Sequence, residues 1–184
     1  MNLDFGSIDP KSFMEMFPVT IPLAAIDHKV LVHDQVISIP APSDTIEYSR
    51  ERPSYEASNP LPLNQFAPTG RAPLGSIVHA RSGNKANNSN VGFFVRHTDE
   101  YPWLQSFLTV QRLREMFQND WSSDYKVERC EFPNILAVHF LILDFLDGGI
   151  ASSSRVDGLG KDIGEYLRSK EVDIPVKSLS RGRI

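Results

Sequence analysis

The sequence predicts an α+β domain, a two-layer sandwich of an antiparallel sheet and two helices, preceded by a mostly extended arm. In residues 74–81 and 91–97, apolar side chains either alternate with polar ones or follow one another directly, as they do in strands. In residues 103–117, apolar side chains recur at helical spacing. Ten of the thirteen prolines lie at or before Pro73. Because proline is excluded from helix interiors and central strands, the N-terminal part is an arm and not a second core.

The arm is predicted to span residues 1–72, and the domain is predicted to span residues 73–184. Within the arm, the pattern predicts a short helix over residues 11–17 and a hairpin over residues 29–39. The polar, proline-interrupted residues 44–63 are expected either to wrap over another surface or to be poorly ordered.

The domain is predicted to run strand, strand, helix, strand, strand, helix. Thr109 is the expected N-cap of the main helix. Residues 125–132 alternate as a strand, and the apolar run 135–146 favours a strand at least at its start. Apolar side chains on one face of residues 157–169 predict the second helix. A small sheet with both helices on one face is the compact solution.

Composition excludes several classes of function. The formal charge is −4 and no block of Lys and Arg occurs, so the sequence predicts no basic patch for binding nucleic acid or an anionic membrane. No stretch approaches the roughly 18 apolar residues of a membrane span, and the N-terminus lacks the features of a signal peptide. The single cysteine, Cys130, forms no internal disulfide and fits a reducing compartment. We therefore expect a cytoplasmic protein.

The strongest candidate site is the stretch of residues 81–90, which holds Arg, Lys, Ser, Gly and four Asn between two apolar runs. Arg81 and Lys85 are expected to hold a carboxylate, enolate or phosphate, while the amides of Asn84 and Asn87 fix a carbonyl. The alternative interpretation is a hairpin loop whose Asn and Gly supply turn conformations.

His139 lies in an apolar run, where it is either an acid–base group or a hydrogen-bonded core residue. His79 is either its partner or buried in a strand. Ser153 and Arg155 belong to a turn that either holds an anion before the helix starting near Asp157, or is a flexible loop with Asp157 as N-cap.

These residues form the predicted site, for which we expect neither a metal nor a cofactor. The histidines lack metal-ligand spacing, and no phosphate loop, nucleophile elbow or dinucleotide fingerprint occurs. The predicted catalytic residues are Lys85, His139 and Arg81. The predicted substrate-binding residues are His79, Ser82, Asn84, Asn87, Ser153 and Arg155.

Several motifs together resemble the C-terminal domain of the AtuA-like, or acyclic terpene utilisation, proteins. They are the run Val-His-Ala-Arg-Ser-Gly-Asn-Lys at 78–85, Asn-Val-Gly-Phe at 90–93, Val-His-Phe at 138–140, Gly148-Gly149, and Asp-Gly-Leu-Gly-Lys at 157–161. The ending at residues 173–184 looks like the fungal branch. The resemblance implies a ferredoxin-like fold of the βαββαβ type without an iron–sulfur cluster. It also implies that a larger N-terminal domain is missing, so that we expect a free-standing descendant or one gene of a split pair.

The sequence departs from the family's Arg-Ser-Gly-Asp-Lys-Gly motif at two places. Asn84 stands where the family has Asp, and an amide does not titrate usefully as a general base. Ala86 stands where the family has Gly, which argues against a positive φ at that position. The small-then-acidic pair is replaced by Asn87-Asn88.

Two functional hypotheses follow. The first is a cofactor-independent isomerase, cyclase or lyase for a small terpenoid-, polyketide- or acyl-thioester-like substrate. Lys85 and Arg81 would bind the oxyanion, and His139 would move the proton. The second is a non-catalytic module that supports or regulates a partner carrying the missing large domain. In either case we expect a homodimer or larger homo-oligomer, with the arm crossing between subunits.

Overall fold

A computed structural model describes residues 9, 10, 12, 19–47, 52, 54–150 and 152–182. The chain divides into two compact units, Phe17–Pro53 and the remainder. The short helix predicted over residues 11–17 lies outside the described residues.

The smaller unit contains a two-stranded antiparallel hairpin, as the sequence predicts. Strand β1 (Lys29–Val32) pairs with β2 (Gln35–Ser38), with Val32 opposite Gln35. The two-residue turn places His33 at a φ of 53°. Both faces of this hairpin are exposed.

The larger unit is built on a four-stranded antiparallel sheet. Its strand order is β4-β5-β7-β6, so two hairpins lie side by side with the second strand of each at the centre. A separate antiparallel pair joins β3 to β8. The strands are β3 (Thr69–Pro73), β4 (Val78–Lys85), β5 (Asn88–Val95), β6 (Val127–Phe132), β7 (Ala137–Ile142) and β8 (Glu171–Pro175).

In the part of the chain that the structure describes, four short helices accompany the sheet: α1 (Tyr101–Phe107), α2 (Val110–Phe117), α3 (Ile163–Arg168) and α4 (Val176–Leu179). The predicted cap is confirmed, since the Thr109 side chain accepts a hydrogen bond of 3.0 Å from the amide of Arg112. The α+β sandwich is therefore confirmed. The elements follow one another as β3-β4-β5-α1-α2-β6-β7-α3-β8-α4, so this ferredoxin-like sandwich has more strands than the βαββαβ order alone.

The second predicted helix is shorter than expected. The Asp157 carboxylate accepts the amides of Lys161 and Asp162 at 2.9 and 2.8 Å, which makes a turn ahead of α3. Gly160 has a φ of +60°, in the left-handed region that an α-helix excludes. The helix predicted to begin near Asp157 thus begins at Ile163.

The two faces of the sheet have different environments. The inner face carries the buried Val91, Phe93, Val138, Phe140 and Ile142 and packs against helices α1 to α3. The outer face carries the alternate residues, which are half-buried or exposed. Because successive side chains of a strand point to opposite faces, the register decides which face each candidate site residue joins.

A buried cation ties the helices to the inner face. The Arg129 side chain is 1% exposed; it donates to the Leu108 carbonyl at 2.7 Å and the Gln105 carbonyl at 2.9 Å, and it pairs with Glu131. Glu131 also accepts the amide of Ser58 at 3.0 Å. Residue 58 thus lies over the domain, which is one of the two outcomes expected for residues 44–63.

Candidate functional site

The connection between the two strands is much shorter than the predicted loop at residues 81–90, so the extent of this loop is corrected. Strands β4 and β5 continue through the polar stretch until Lys85 lies opposite Asn88, leaving a turn of two residues, Ala86 and Asn87. Polar residues pair here because the ladder uses backbone groups, whatever the side chains. Ala86 has a φ of 55°, so the expectation of a negative φ at this position was also wrong. Hairpin turns of this length require a positive φ in their centre.

Residues 144–149 hold the turn in place. The Asn88 side chain accepts the amide of Asp144 at 2.9 Å, and the Asn87 carbonyl accepts the amide of Leu146 at 2.8 Å. The Asn87 side chain donates to the Asp144 carboxylate. Gly149 approaches so closely that a Cβ there would lie 3.2 Å from the Ala86 carbonyl oxygen. The amide of Asn87 therefore has a structural partner.

Strand alternation brings four predicted site residues to the outer face. His79, Arg81 and Lys85 share this face of β4, and the register places Gly92 between Arg81 and His139. Arg81 and Lys85 are exposed, whereas His79 and His139 are half-buried. All three predicted catalytic residues thus lie on one surface.

Two glycines on this face leave the backbone uncovered. A Cβ built on Gly83 would have no atom within 4 Å, and a Cβ on Gly92 would lie 3.5 Å from Cδ2 of His139. Neither glycine has a positive φ. Their effect is to leave a shallow depression bordered by Arg81, Lys85 and His139, which sequence analysis missed because its floor depends on the register.

Both His79 and His139 have lowered pKa values, which favour the neutral form. Burial, and then the positive charge of Lys85, lower the pKa of His139 from its ordinary value of 6.5. Burial, followed by the charges of Arg96 and Arg168, lowers the pKa of His79. A neutral imidazole accepts a proton, so His139 at pH 7 is in the form that a general base requires.

Aromatic side chains flank the histidines. The Phe94 ring stacks on His79 with centroids 4.9 Å apart, and Phe132 meets His139 edge-on at 6.3 Å. Phe94 and Phe132 are 40% and 47% exposed, respectively. Sequence analysis assigned neither of them a role, although their alternation with buried neighbours was the available signal.

Ser82 and Asn84 point to the opposite face from the predicted catalytic residues. Ser82 is buried; its hydroxyl donates to the Lys161 carbonyl at 2.8 Å and accepts the amide of Gly164 at 3.0 Å. These bonds connect β4 to the start of α3. The register places Asn84 opposite the buried Ser89.

Arg155 lies in a different environment. Its guanidinium stands 4.3 Å from the centre of the Phe145 ring and donates to the hydroxyl of Tyr125. It lines a cavity of about 390 Å³ together with core residues such as Phe117 and Ile163. The Ser153 hydroxyl accepts the amide of Arg155 at 3.2 Å. Arg155 therefore belongs to a cavity separate from the outer-face depression.

A further cavity also lies away from the outer face. It measures about 510 Å³ and is lined by residues of α1, α2, β3 and β8, among them Trp103, Arg112 and Asp173. Within the described residues, no group of three or more His, Cys, Asp or Glu side chains is arranged to hold a metal ion. In the same part of the chain, no helix has the length and apolar character to cross a membrane.

The family model described as the AtuA ferredoxin-like domain matches residues 72–173, more than half of the chain. The chain belongs to the AtuA ferredoxin-like family. The matched segment of this AtuA ferredoxin-like domain contains both hairpins of the sheet and all four outward-facing site residues. Comparison with curated proteins and with solved structures gave no match.

Proposed function

We propose that the outer face of the sheet is the site of a cofactor-independent proton transfer, carried out as an isomerase, cyclase or lyase. The observation that supports this is that His139, Arg81 and Lys85 share one solvent-reaching surface, on which Arg81 and His139 flank Gly92. Only Gly92 lies between Arg81 and His139, so no side chain separates these two residues, and the charge of Lys85 acts on His139.

In the proposed reaction, His139 takes a proton from the carbon next to a substrate carbonyl. The electron pair of the broken C–H bond moves to the carbonyl oxygen, and Arg81 or Lys85 stabilises the resulting oxyanion. Return of the proton to another carbon gives an isomer. Attack of the enolate carbon on a second carbonyl carbon of the same molecule gives a ring, with the proton delivered to that second oxygen, and loss of a leaving group from the β carbon gives a lyase product. Terpenoid, polyketide and acyl-thioester carbonyl compounds are the proposed substrate class.

The decisive experiment first compares the metabolites that the producing organism makes with this gene and without it. Purified protein is added to the compound that accumulates, and the product is analysed by mass spectrometry. A product of equal mass supports an isomerase or cyclase, and loss of water supports a lyase.

His139→Gln should lower turnover by about 10² to 10⁴-fold, the usual contribution of an acid–base group. The matched control Lys161→Gln removes an exposed cation outside the outer face and should leave turnover unchanged.

A second function is supported by the openness of the same face. Small-molecule sites are usually concave, whereas Arg81, Lys85, Phe94 and Phe132 all reach solvent. A non-catalytic module that supports or regulates a partner protein would use such a surface for contact. This alternative gains weight if the accumulating compound stays unchanged and if Lys85→Gln leaves the gene's phenotype intact.

We also propose a cytoplasmic homodimer or larger homo-oligomer. The arm hairpin supports association, because its apolar side chains reach solvent, with Leu31 75% and Val36 61% exposed. Light scattering checks the assembly. A monomer at micromolar concentration would contradict it.

A further inference from the structure

We infer that the outer face binds an elongated amphipathic anion, whose charged head lies between Arg81 and Lys85 and whose apolar body lies over Phe94 and Phe132. This inference shares with the proposed function only the surface on which it acts. It concerns which molecules bind there, and a failure of proton transfer would leave it standing.

The register arranges the outward residues in successive rows across the sheet. Lys85 belongs to the first row, Gly83 and Asn90 to the second, and Arg81, Gly92 and His139 to the third. The fourth row holds His79, Phe94, Ala137 and Phe132. Rows are two residues apart, or about 7 Å, because each residue of an antiparallel strand advances about 3.4 Å. The surface therefore changes from cationic to aromatic over about 20 Å.

The glycines mark the path that a ligand would follow. Gly83 lies in the row between the two cations, and Gly92 lies one row further, beside His139 and toward the aromatic end. Cross-strand diagonal neighbours lie about 7–8 Å apart, so the two uncovered positions adjoin each other. An anionic group over Gly83 would place the atoms that follow it over Gly92, within reach of His139.

The charge on this face selects the sign of the ligand. Arg81 and Lys85 stand on β4, whereas Glu128 lies on β6, the opposite edge strand, opposite Leu141. Strands lie about 4.8 Å apart, which puts Glu128 about 14 Å from β4. Arg96 adds another positive charge near His79. Asp144, whose carboxylate accepts from the Asn87 side chain, adds a negative charge at the turn. The three cations still outnumber these two carboxylates, although the formal charge of the chain is −4, and a second copy of the same face would meet it with like charge.

The aromatic end of the face contacts the apolar body of the proposed ligand. Phe94 and Phe132 are exposed, and Ile135, in the turn between β6 and β7, is 67% exposed. These side chains offer apolar surface that loses its contact with water when a hydrocarbon covers it. A fully polar anion such as inorganic phosphate would use the cationic rows and leave this end uncovered.

The test compares two probes of equal chain length, decanoate and decylamine, by ¹H–¹⁵N NMR titration of the full-length protein. Decanoate should bind at least tenfold more tightly, and the amides of Gly83, Gly92 and Phe94 should shift most. Lys85→Gln should weaken decanoate binding several-fold, while Lys161→Gln should leave it unchanged. Equal affinity for the two probes, or shifts centred on the cavity beside Arg155, would overturn the inference.

Two substitutions fill the depression without crowding the fold. Gly83→Val and Gly92→Val each place a β-branched residue in a strand, where it is favoured, and the new Cβ meets no contact closer than 3.5 Å. Each should keep or raise the melting temperature and lower decanoate affinity at least tenfold. Unchanged affinity in both folded variants would contradict the inference.

The two proposals fail separately. His139→Gln should lower turnover by about 10² to 10⁴-fold but retain decanoate binding within about twofold, since the head contacts lie on β4. If decanoate does not bind while turnover still depends on His139, the ligand class is wrong and the proton transfer stands. If decanoate binds as described and no substrate is converted, the proton transfer is wrong and the ligand class stands.

Discussion

At the scale of single residues, the site depends on coupling between charges. Lys85 and His139 stand on strands separated by β5, and yet the charge of Lys85 contributes to the lowered pKa of His139. Burial is the larger cause. The neutral form of His139 thus depends first on the packing of the sheet and second on one exposed ammonium.

Lys85→Gln should raise the pKa of His139 without returning it to 6.5, because burial still disfavours the imidazolium. NMR titration of the imidazole C–H signals measures this shift. Lys161→Gln is the matched control and should leave the titration unchanged. A His139 titration that is identical in Lys85→Gln and the wild-type chain would show that the two groups are not coupled.

A second residue-scale prediction concerns the buried Arg129. Arg129→Ala should lower the free energy of unfolding by about 3–5 kcal/mol, since it leaves Glu131 without its cation in a buried setting. Chemical denaturation measures the loss. Arg129→Met combined with Glu131→Leu removes both charges and should be less damaging than Arg129→Ala alone.

The same pair has a pH dependence of defined sign. Burial raises the pKa of Glu131, but hydrogen bonds from Arg129, Gln105 and Ser58 outweigh burial and leave the pKa below its ordinary value of 4.5. A carboxyl with a depressed pKa in the folded state stabilises the fold above pH 4.5, and this contribution is lost as pH falls through the folded pKa. In Glu131→Gln, the free energy of unfolding should therefore fall less steeply below pH 4.5.

At the scale of elements, the hairpin turn stores strain. Ala86 adopts a φ of 55°, which costs an L-residue about 1–2 kcal/mol and costs glycine little. The contacts of residues 144–149 with the turn hold this conformation in place.

Ala86→Gly should raise the free energy of unfolding by about 0.5–1 kcal/mol, because relief of strain exceeds the entropy that glycine gains in the unfolded chain. Ala86→Val is the opposite control and should lower it, since a β-branched residue tolerates positive φ poorly. Thermal and chemical denaturation measure both. Destabilisation by Ala86→Gly would show that the turn is not strained.

At the scale of the whole molecule, the sandwich depends on a strand contributed by residues just before the predicted domain boundary. Residues 69–73 form β3 and pair with β8, and the amide of Leu74 donates to the Lys170 carbonyl at 2.8 Å. On β8, Val172 and Ile174 are buried. Removal of β3 would open this edge to water.

A chain that begins at Ser54 should unfold cooperatively with a stability close to that of the full-length protein. A chain that begins at Leu74 lacks β3 and also residues 54–68, which include the amide of Ser58 that bonds Glu131. It should lose at least about 2–4 kcal/mol, the scale of exposing one or two large aliphatic side chains. Circular dichroism during thermal unfolding compares them. Equal stability of the two truncated chains would show that β3 adds nothing to the domain.

The sequence by itself located most of the elements and identified the family, but β3 and β8 were not among the predicted strands. Alternation located both hairpins, helical spacing located α1 and α2, and Thr109 marked the cap between them, because these signals depend on neighbours within a few residues. The motif at residues 78–85, together with the later motifs through residue 161, indicated the AtuA ferredoxin-like domain that the family model matches. Local chemistry also indicated Arg81, Lys85 and His139 as a set.

Tertiary structure alone decided which of those residues share a surface. Ser82 is next to Arg81 in sequence but faces the core, whereas His139 is far away in sequence and joins Arg81 across Gly92. Pairing register is a long-range property, and a shift of one residue would exchange the two faces. The positive φ of Ala86, the turn after Asp157 and the separate cavity of Arg155 likewise depend on contacts between distant segments, which no local pattern in the sequence encodes.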